Sequence, residues 1–151
     1  MNQPSLIIEH EAYELWLDEK LLTRLAGGAA TLLPAAGSRQ LREIDIEAAI
    51  ERAEDWLMPF SKALQGLQLK ICDKTGRLKS YFDEHQPYSV EQIERIFSNV
   101  HYEVAHVREV ERNSVADIVL VREFAHHGRL SGIVLNSADP GPQDTSEKEK
   151  A

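Results

Sequence analysis

Six histidines, a single cysteine and one cluster of cations are the groups from which this 151-residue chain could build chemistry. The histidines lack the spacing of metal ligands. His101 and His106 lie an odd number of positions apart, so a strand points them to opposite faces, and a helix separates them by about 140°. Adjacent His126 and His127 diverge in the same way, and His10 shares a helical face with Glu14 but with no second histidine. The expectation is therefore turn and surface histidines with no metal site and no cofactor. Cys72 is expected on the same strand face as Lys70, Arg77 and Lys79, cations that would lower a thiol pKa. No histidine adjoins it in sequence to act as its base, and a packing role is the expectation. Lys70, Lys74, Arg77 and Lys79 are the densest basic cluster of the chain. A solvated strand face often looks like this, and the same cluster could meet an acidic partner or a phosphate. Tyr81 alone accompanies it as a stacking group, too little for a single-stranded nucleic acid.

The ligand-binding candidates are Tyr102, His106 and Arg122, with no catalytic residues assigned. They fall on the even-numbered side of the segment after residue 100, among Val104, Ile118, Leu120, Phe124, Leu130 and Val134. An arginine directed into apolar surroundings must find a carboxylate, a carbonyl or an anionic ligand, because an unpaired buried charge is too costly. Glu103 and Glu109 are the internal partners within reach, and a ligand anion is the functional one.

Those residues need elements to hold them. Tyr13, Leu17, Leu21 and Leu25 recur every fourth position and predict a helix over Leu6 to Leu25, closed by Gly27 and Gly28. A second helix is predicted from Asp45, with Ile46, Ala49, Ile50, Ala53 and Leu57 on its buried face, ending at Pro59. The period then changes to two, and Leu67 to Phe82 reads as a hairpin turning at Asp73 to Gly76. Ser89 with Gln92 forms a capping box that opens the next helix, with Tyr88 and Ile93 as its hydrophobic staple and Asn99 as its stop. Three strands are predicted after it, at Val100 to Val110, Val115 to Phe124 and Arg129 to Asn136. His126, His127 and a left-handed Gly128 form the last turn, which sets Arg122 opposite Gly132. The predicted fold class is thus α+β, N-terminal helices packed on a mainly antiparallel, curved sheet. Residues 1–136 form one domain and residues 137–151, rich in proline, glycine and charge, form a disordered polar tail.

Composition sets the outer limits. With 42% hydrophobic and 28% charged residues the chain suits one globular domain. A net charge of -8 opposes a nucleic-acid backbone. No apolar run approaches the roughly 18 residues of a membrane span, no basic flank precedes an export signal, and the lone cysteine suits a reducing compartment, so a cytoplasmic protein is expected.

The order helix, helix, hairpin Leu67 to Phe82, capped helix at Ser89, then strands opening at Asn99 and Val100, resembles the nuclear transport factor 2-like superfamily over Leu6 to Asn136. That resemblance implies a sheet curled around long helices, in a group that includes enzymes, ligand carriers and partner-binding subunits. The usual last strand has no counterpart after Asn136, and no Asp or Tyr pair matches the acid and base of its isomerases. The expected function is accordingly a non-enzymatic accessory or protein-interaction domain, homodimeric or partner-bound through the edge at Arg129 to Asn136, with Trp16 and Trp56 as contact elements. The alternative is a binder of a small anionic ligand, or a lyase or isomerase, with a pocket between helix and sheet in which Arg122 holds the anion and His106 moves a proton.

Overall fold

The computed structural model describes residues 2–34, 40–106 and 110–136. The chain begins with strands where a helix was expected. β1 (Pro4–Glu9), β2 (Ala12–Leu17) and β3 (Lys20–Ala26) form an antiparallel meander. Its turns are the two-residue links His10–Glu11 and Asp18–Glu19, with Asp18 in the left-handed region at φ 56°. A spacing of four is even, so residues that share a helical stripe also share a strand face. The register sets Leu6 opposite Leu15 and Ile8 opposite Tyr13, and all four are fully buried. β3 carries Lys20 and Arg24 along the sheet's edge, charges that discourage further pairing.

After a single turn, α1 (Ala29–Leu32), the chain forms α2 (Glu43–Leu57). Asp45 does not start the helix but sits in its first turn, where its Oδ2 accepts the backbone N–H of the N-cap residue Arg42 at 2.8 Å. Ile46, Ala49, Ala53 and Leu57 are buried, and Pro59 sits in a 3₁₀ turn that ends the helix. A short α3 (Ser61–Leu64) leads to β4 (Gln68–Asp73). The second arm of the expected hairpin is not a strand. The Asp73 carboxylate accepts the backbone N–H groups of Thr75 and Leu78 and the Thr75 hydroxyl, and so winds Arg77–Ser80 into a 3₁₀ turn. Cys72 does not face water with the lysines; it is buried beside its register partner Ile7.

β5 (Pro87–Tyr88) precedes α4 (Val90–Ala105), whose capping box is as read: Ser89 Oγ accepts the Gln92 N–H at 3.2 Å and Gln92 Oε1 accepts the Ser89 N–H at 2.8 Å. Asn99 does not stop this helix, and the strand expected from Val100 is its second half. Val100 and Val104 are one more pair four apart. The strand expected at Val115 to Phe124 is α5 (Arg112–His127). It packs against α1, α2 and α4 and is buried on nearly every side, so its apolar residues show no single stripe. His126 and His127 close this helix instead of making a hairpin, and Gly128 has φ −80°, the left-handed residue being Arg129.

β6 (Gly132–Leu135) completes a mixed six-stranded sheet in the order β3-β2-β1-β4-β6-β5. β1, β4 and β6 run parallel, and β6 lies between β4 and β5, so it is an interior strand with no open edge. Gly132 is required there, since a Cβ would sit 2.5 Å from the Tyr88 carbonyl oxygen. The architecture is α+β, but strands come first, the centre of the mixed sheet is parallel, and among the described residues α4 is followed by α5 and the single strand β6. The expected tail at 137–151 and Glu109 lie outside the described residues. Among the described residues no helix is long and apolar enough to cross a membrane.

Candidate functional site

β1 and β4 are parallel neighbours whose onward connections part company. β1 turns back into β2 on one side, whereas β4 continues through α4 and α5 to β6 on the other. Such a topological switch point opens a crevice outside the carboxyl ends of the two strands, where open sheets with parallel strands bind ligands. The residues brought there are Glu9, His10 and Glu11 from the β1–β2 turn and Asp73 to Arg77 from the segment after β4. The Lys74 N–H donates to the Ile8 carbonyl at 2.9 Å and Lys74 Nζ reaches Glu9 at 3.0 Å, which ties the two tips together. Gly76 is left-handed at φ 76°, and the Lys79 side chain lies against it. Below the β1–β2 turn, Gly28 at φ 53° lets α1 approach closely; a Cβ there would lie 2.9 Å from the Ala12 backbone nitrogen.

A buried polar network joins these tips to α5. Asp117, on α5, has no exposed surface, and its carboxylate accepts three charged or polar donors: Arg77 Nε at 2.8 Å, Arg77 Nη2 at 3.2 Å and the Tyr13 hydroxyl at 2.6 Å. Burial pushes the Asp117 carboxyl up to about 6 against the opposing pull of Arg77 and Tyr13. Burial and the neighbouring Asp117 push the Tyr13 phenol well above its ordinary value, so it stays a neutral donor. Burial alone would lower Arg77, but its bonds to Asp117 more than offset this and keep it charged. The arrangement places a fully buried acid, pushed up to about 6, beneath the ends of β1 and β4, a pattern shared by catalytic groups and by structural ion pairs.

The residues expected to bind a ligand are not gathered into one cavity. Tyr102 is half exposed near the end of α4, and the His106 ring lies 3.9 Å from the Tyr102 ring, with Nδ1 2.9 Å from the Tyr102 carbonyl oxygen. Arg122 lies elsewhere on the α4–α5 seam. Its guanidinium contacts Glu94 at 3.0 Å and Glu123 at 2.7 Å and stacks 4.6 Å above the Phe97 ring. Glu94 and His106 are separated by three helical turns, about 18 Å along α4. Arg122 faces Glu94 and Glu123, and it has no strand partner at Gly132, because it is on a helix. Trp56 packs between Tyr13 and Phe124. The polar residues the sequence reading missed are Tyr13, Asp73 and Asp117. Asp117 had a visible signal, a lone acid inside the apolar run Val115 to Val121.

No protein-family profile matches the chain, and no curated protein matches it by sequence. Solved structures do match. A Ppx/GppA family member from Aquifex aeolicus aligns with a TM-score of 0.66 and 14% identity, covering 90% of this chain and 52% of that one. The type II variant of the Aquifex aeolicus Ppx/GppA phosphatase gives 0.65 and 13%, covering 90% and 53%. An exopolyphosphatase from Cytophaga hutchinsonii gives 0.60 and 15%, covering 90% and 53%. The resemblance to the nuclear transport factor 2-like superfamily is thereby corrected: that element order needed helices first and a run of strands after the capped helix, whereas the chain opens on three strands and follows α4 with the helix α5. The expectation of a non-enzymatic accessory domain is corrected by the same matches. The edge it was to use is an interior strand, and the matched structures include a Ppx/GppA phosphatase and an exopolyphosphatase. At this level of identity the likeness is one of fold, and the chain spans about half the length of the structures it matches.

Proposed function

We propose that the chain binds a small phosphate-bearing anion in the crevice at the carboxyl ends of β1 and β4, as a lobe of Ppx/GppA-like fold. The observation that carries this reading is the position of the Lys74–Lys79 segment, the densest run of cations in an acidic chain, at the switch point of the sheet. Lys74 and Lys79 are exposed, whereas Arg77 is committed to Asp117. Two exposed lysines beside a left-handed glycine suit an anion that arrives from solvent. The comparisons support the reading by fold: the matched structures are phosphatases and exopolyphosphatases. Glu9 and Glu11 at the rim, and a net charge of -8, work against a phosphate and favour weak, salt-sensitive binding. The Asp117 carboxyl, near neutrality yet capped by Arg77, would meet a ligand only if Arg77 turned toward the phosphate.

The test is calorimetric titration with orthophosphate and tripolyphosphate, with release of orthophosphate assayed in parallel. Binding is expected at micromolar to millimolar concentrations, stronger for tripolyphosphate, and weakened about tenfold, or ~1.4 kcal/mol, by Lys74→Glu or Lys79→Glu. No binding of either anion at low salt, or binding indifferent to both reversals, would overturn the reading. Turnover lost in Asp117→Asn with binding retained would extend it from binding to hydrolysis.

A further inference from the structure

We propose a second site, for a divalent transition-metal ion of the zinc class, formed by Glu54 of α2 and by Glu123 and His127 of α5. One ligand atom from each of the three lies within 4.8 Å of the other two. His127 Nε2 stands 2.8 Å from Glu54 Oε2 and 3.3 Å from Glu123 Oε1. Nitrogen and oxygen atoms bound tetrahedrally at the usual zinc distances are separated by about 3.4 Å, so the His127–Glu123 pair already has the spacing and the His127–Glu54 pair would open by about 0.6 Å.

The independent sign of a ligand is Glu123 itself. Its side chain has no exposed surface, yet Oε1 accepts no hydrogen bond, although buried carboxylate oxygens almost always do. The other oxygen, Oε2, is held by Arg122 Nη1 at 2.7 Å, which aims Oε1 at the His127 ring. Glu123 would then bind through one oxygen while Arg122, itself anchored to Glu94, orients it from behind, an arrangement common around protein-bound zinc. His127 also lines a cavity of about 480 Å³ with Met58, Ser61, Gln65 and His126, which gives an ion access and leaves a coordination position for water. Lys62 and Arg129 line the same cavity, and their charge argues for micromolar rather than tighter affinity. Glu123 and His127 are four residues apart, so one turn of α5 presents both, and the packing of α2 on α5 supplies the third group. The site lies beyond the anion crevice and does not depend on it.

The experiment is equilibrium dialysis of the full chain against zinc at neutral pH, with cobalt substitution read by absorption. One equivalent is expected, with four-coordinate cobalt bands and a thermal midpoint that rises with zinc and falls back with chelator. Glu54→Gln changes a side chain about a third exposed and should preserve the fold. It and His127→Ala are each expected to weaken binding at least tenfold, whereas His126→Ala, on the adjacent ring, should leave it unchanged. Absence of binding, or binding that survives both Glu54→Gln and His127→Ala, would overturn the proposal. In that case the three residues are a polar triad, with the imidazole shared by two carboxylates.

Discussion

Asp117 is an acid placed where an apolar side chain would be cheaper, and its cost should be measurable as a function of pH. The charged and titratable groups facing it are Arg77 and Tyr13, with Asp73 acting at longer range. Its folded-state value of about 6 lies above the unfolded 3.8, so between these values the native chain holds a proton that the unfolded chain releases. The sign follows from that. The group's contribution is fully present below about pH 4 and is lost as pH rises through 6, a change of about 2 kcal/mol between pH 4 and 7. Asp117→Asn keeps the shape but cannot titrate. Urea unfolding should show wild type losing about that much stability relative to Asp117→Asn as pH rises across the window. A difference that stayed constant would mean that Arg77 and Tyr13 hold the carboxylate charged throughout.

Among the elements, α4 owes its start to two reciprocal hydrogen bonds, and Ser89→Ala removes the side-chain acceptor of one of them. The expected cost is about 1 kcal/mol, or roughly 2–4 °C in thermal midpoint for a domain of this size, checked by scanning calorimetry. This cap was legible because it is local chemistry: a serine, a glutamine three positions on, and a hydrophobic pair around them. α2 and β4 were legible for similar reasons, the first from a clean stripe and the second from strict alternation. Three other elements were not. Along β1 to β3 the apolar residues repeat at four, which satisfies helix and strand equally, and only the turns at His10–Glu11 and Asp18–Glu19 could have decided between them; neither contains a glycine. The second half of α4 repeats the ambiguity with Val100 and Val104. α5 fails differently: a helix enclosed by α1, α2, α4 and the core has no polar face, and from Val115 to Val121 it reads like an interior strand. Both candidate sites depend on that helix. With α5 taken as a strand, Glu123 and His127 were never placed one above the other, and Asp117 was never carried across to Tyr13 and Arg77.

On the scale of the whole molecule, the parallel seams predict that the described residues unfold as one cooperative unit. β1 cannot complete its pairing until β4 arrives, more than 60 residues later, since Ser5 aligns with Lys70 and Ile7 with Cys72. β4 in turn waits for β6, another 60 residues on, where Leu69 aligns with Ile133. The antiparallel meander at the N-terminus has local contacts but no core of its own, because Leu6, Ile8, Tyr13 and Leu15 are covered by residues that come later in the chain. Neither part can bury its apolar face alone, so unfolding should be two-state and refolding should fall in the millisecond-to-second range of folds dominated by distant contacts. The two tryptophans allow a direct check. Trp16, on β2, donates its indole N–H to Glu14 at 2.9 Å and reports on the meander. Trp56 donates to Thr23 at 3.2 Å and stacks edge-on against Phe124, so it reports on the junction of α2, β3 and α5. In Trp56→Phe the fluorescence follows Trp16, and in Trp16→Phe it follows Trp56. Within each variant the urea midpoint by fluorescence should coincide with that by far-ultraviolet circular dichroism. If Trp16 reports an earlier transition than the helices do, the meander is a separate, weaker unit, and the β1–β4 seam that forms the anion crevice would open before the rest of the chain.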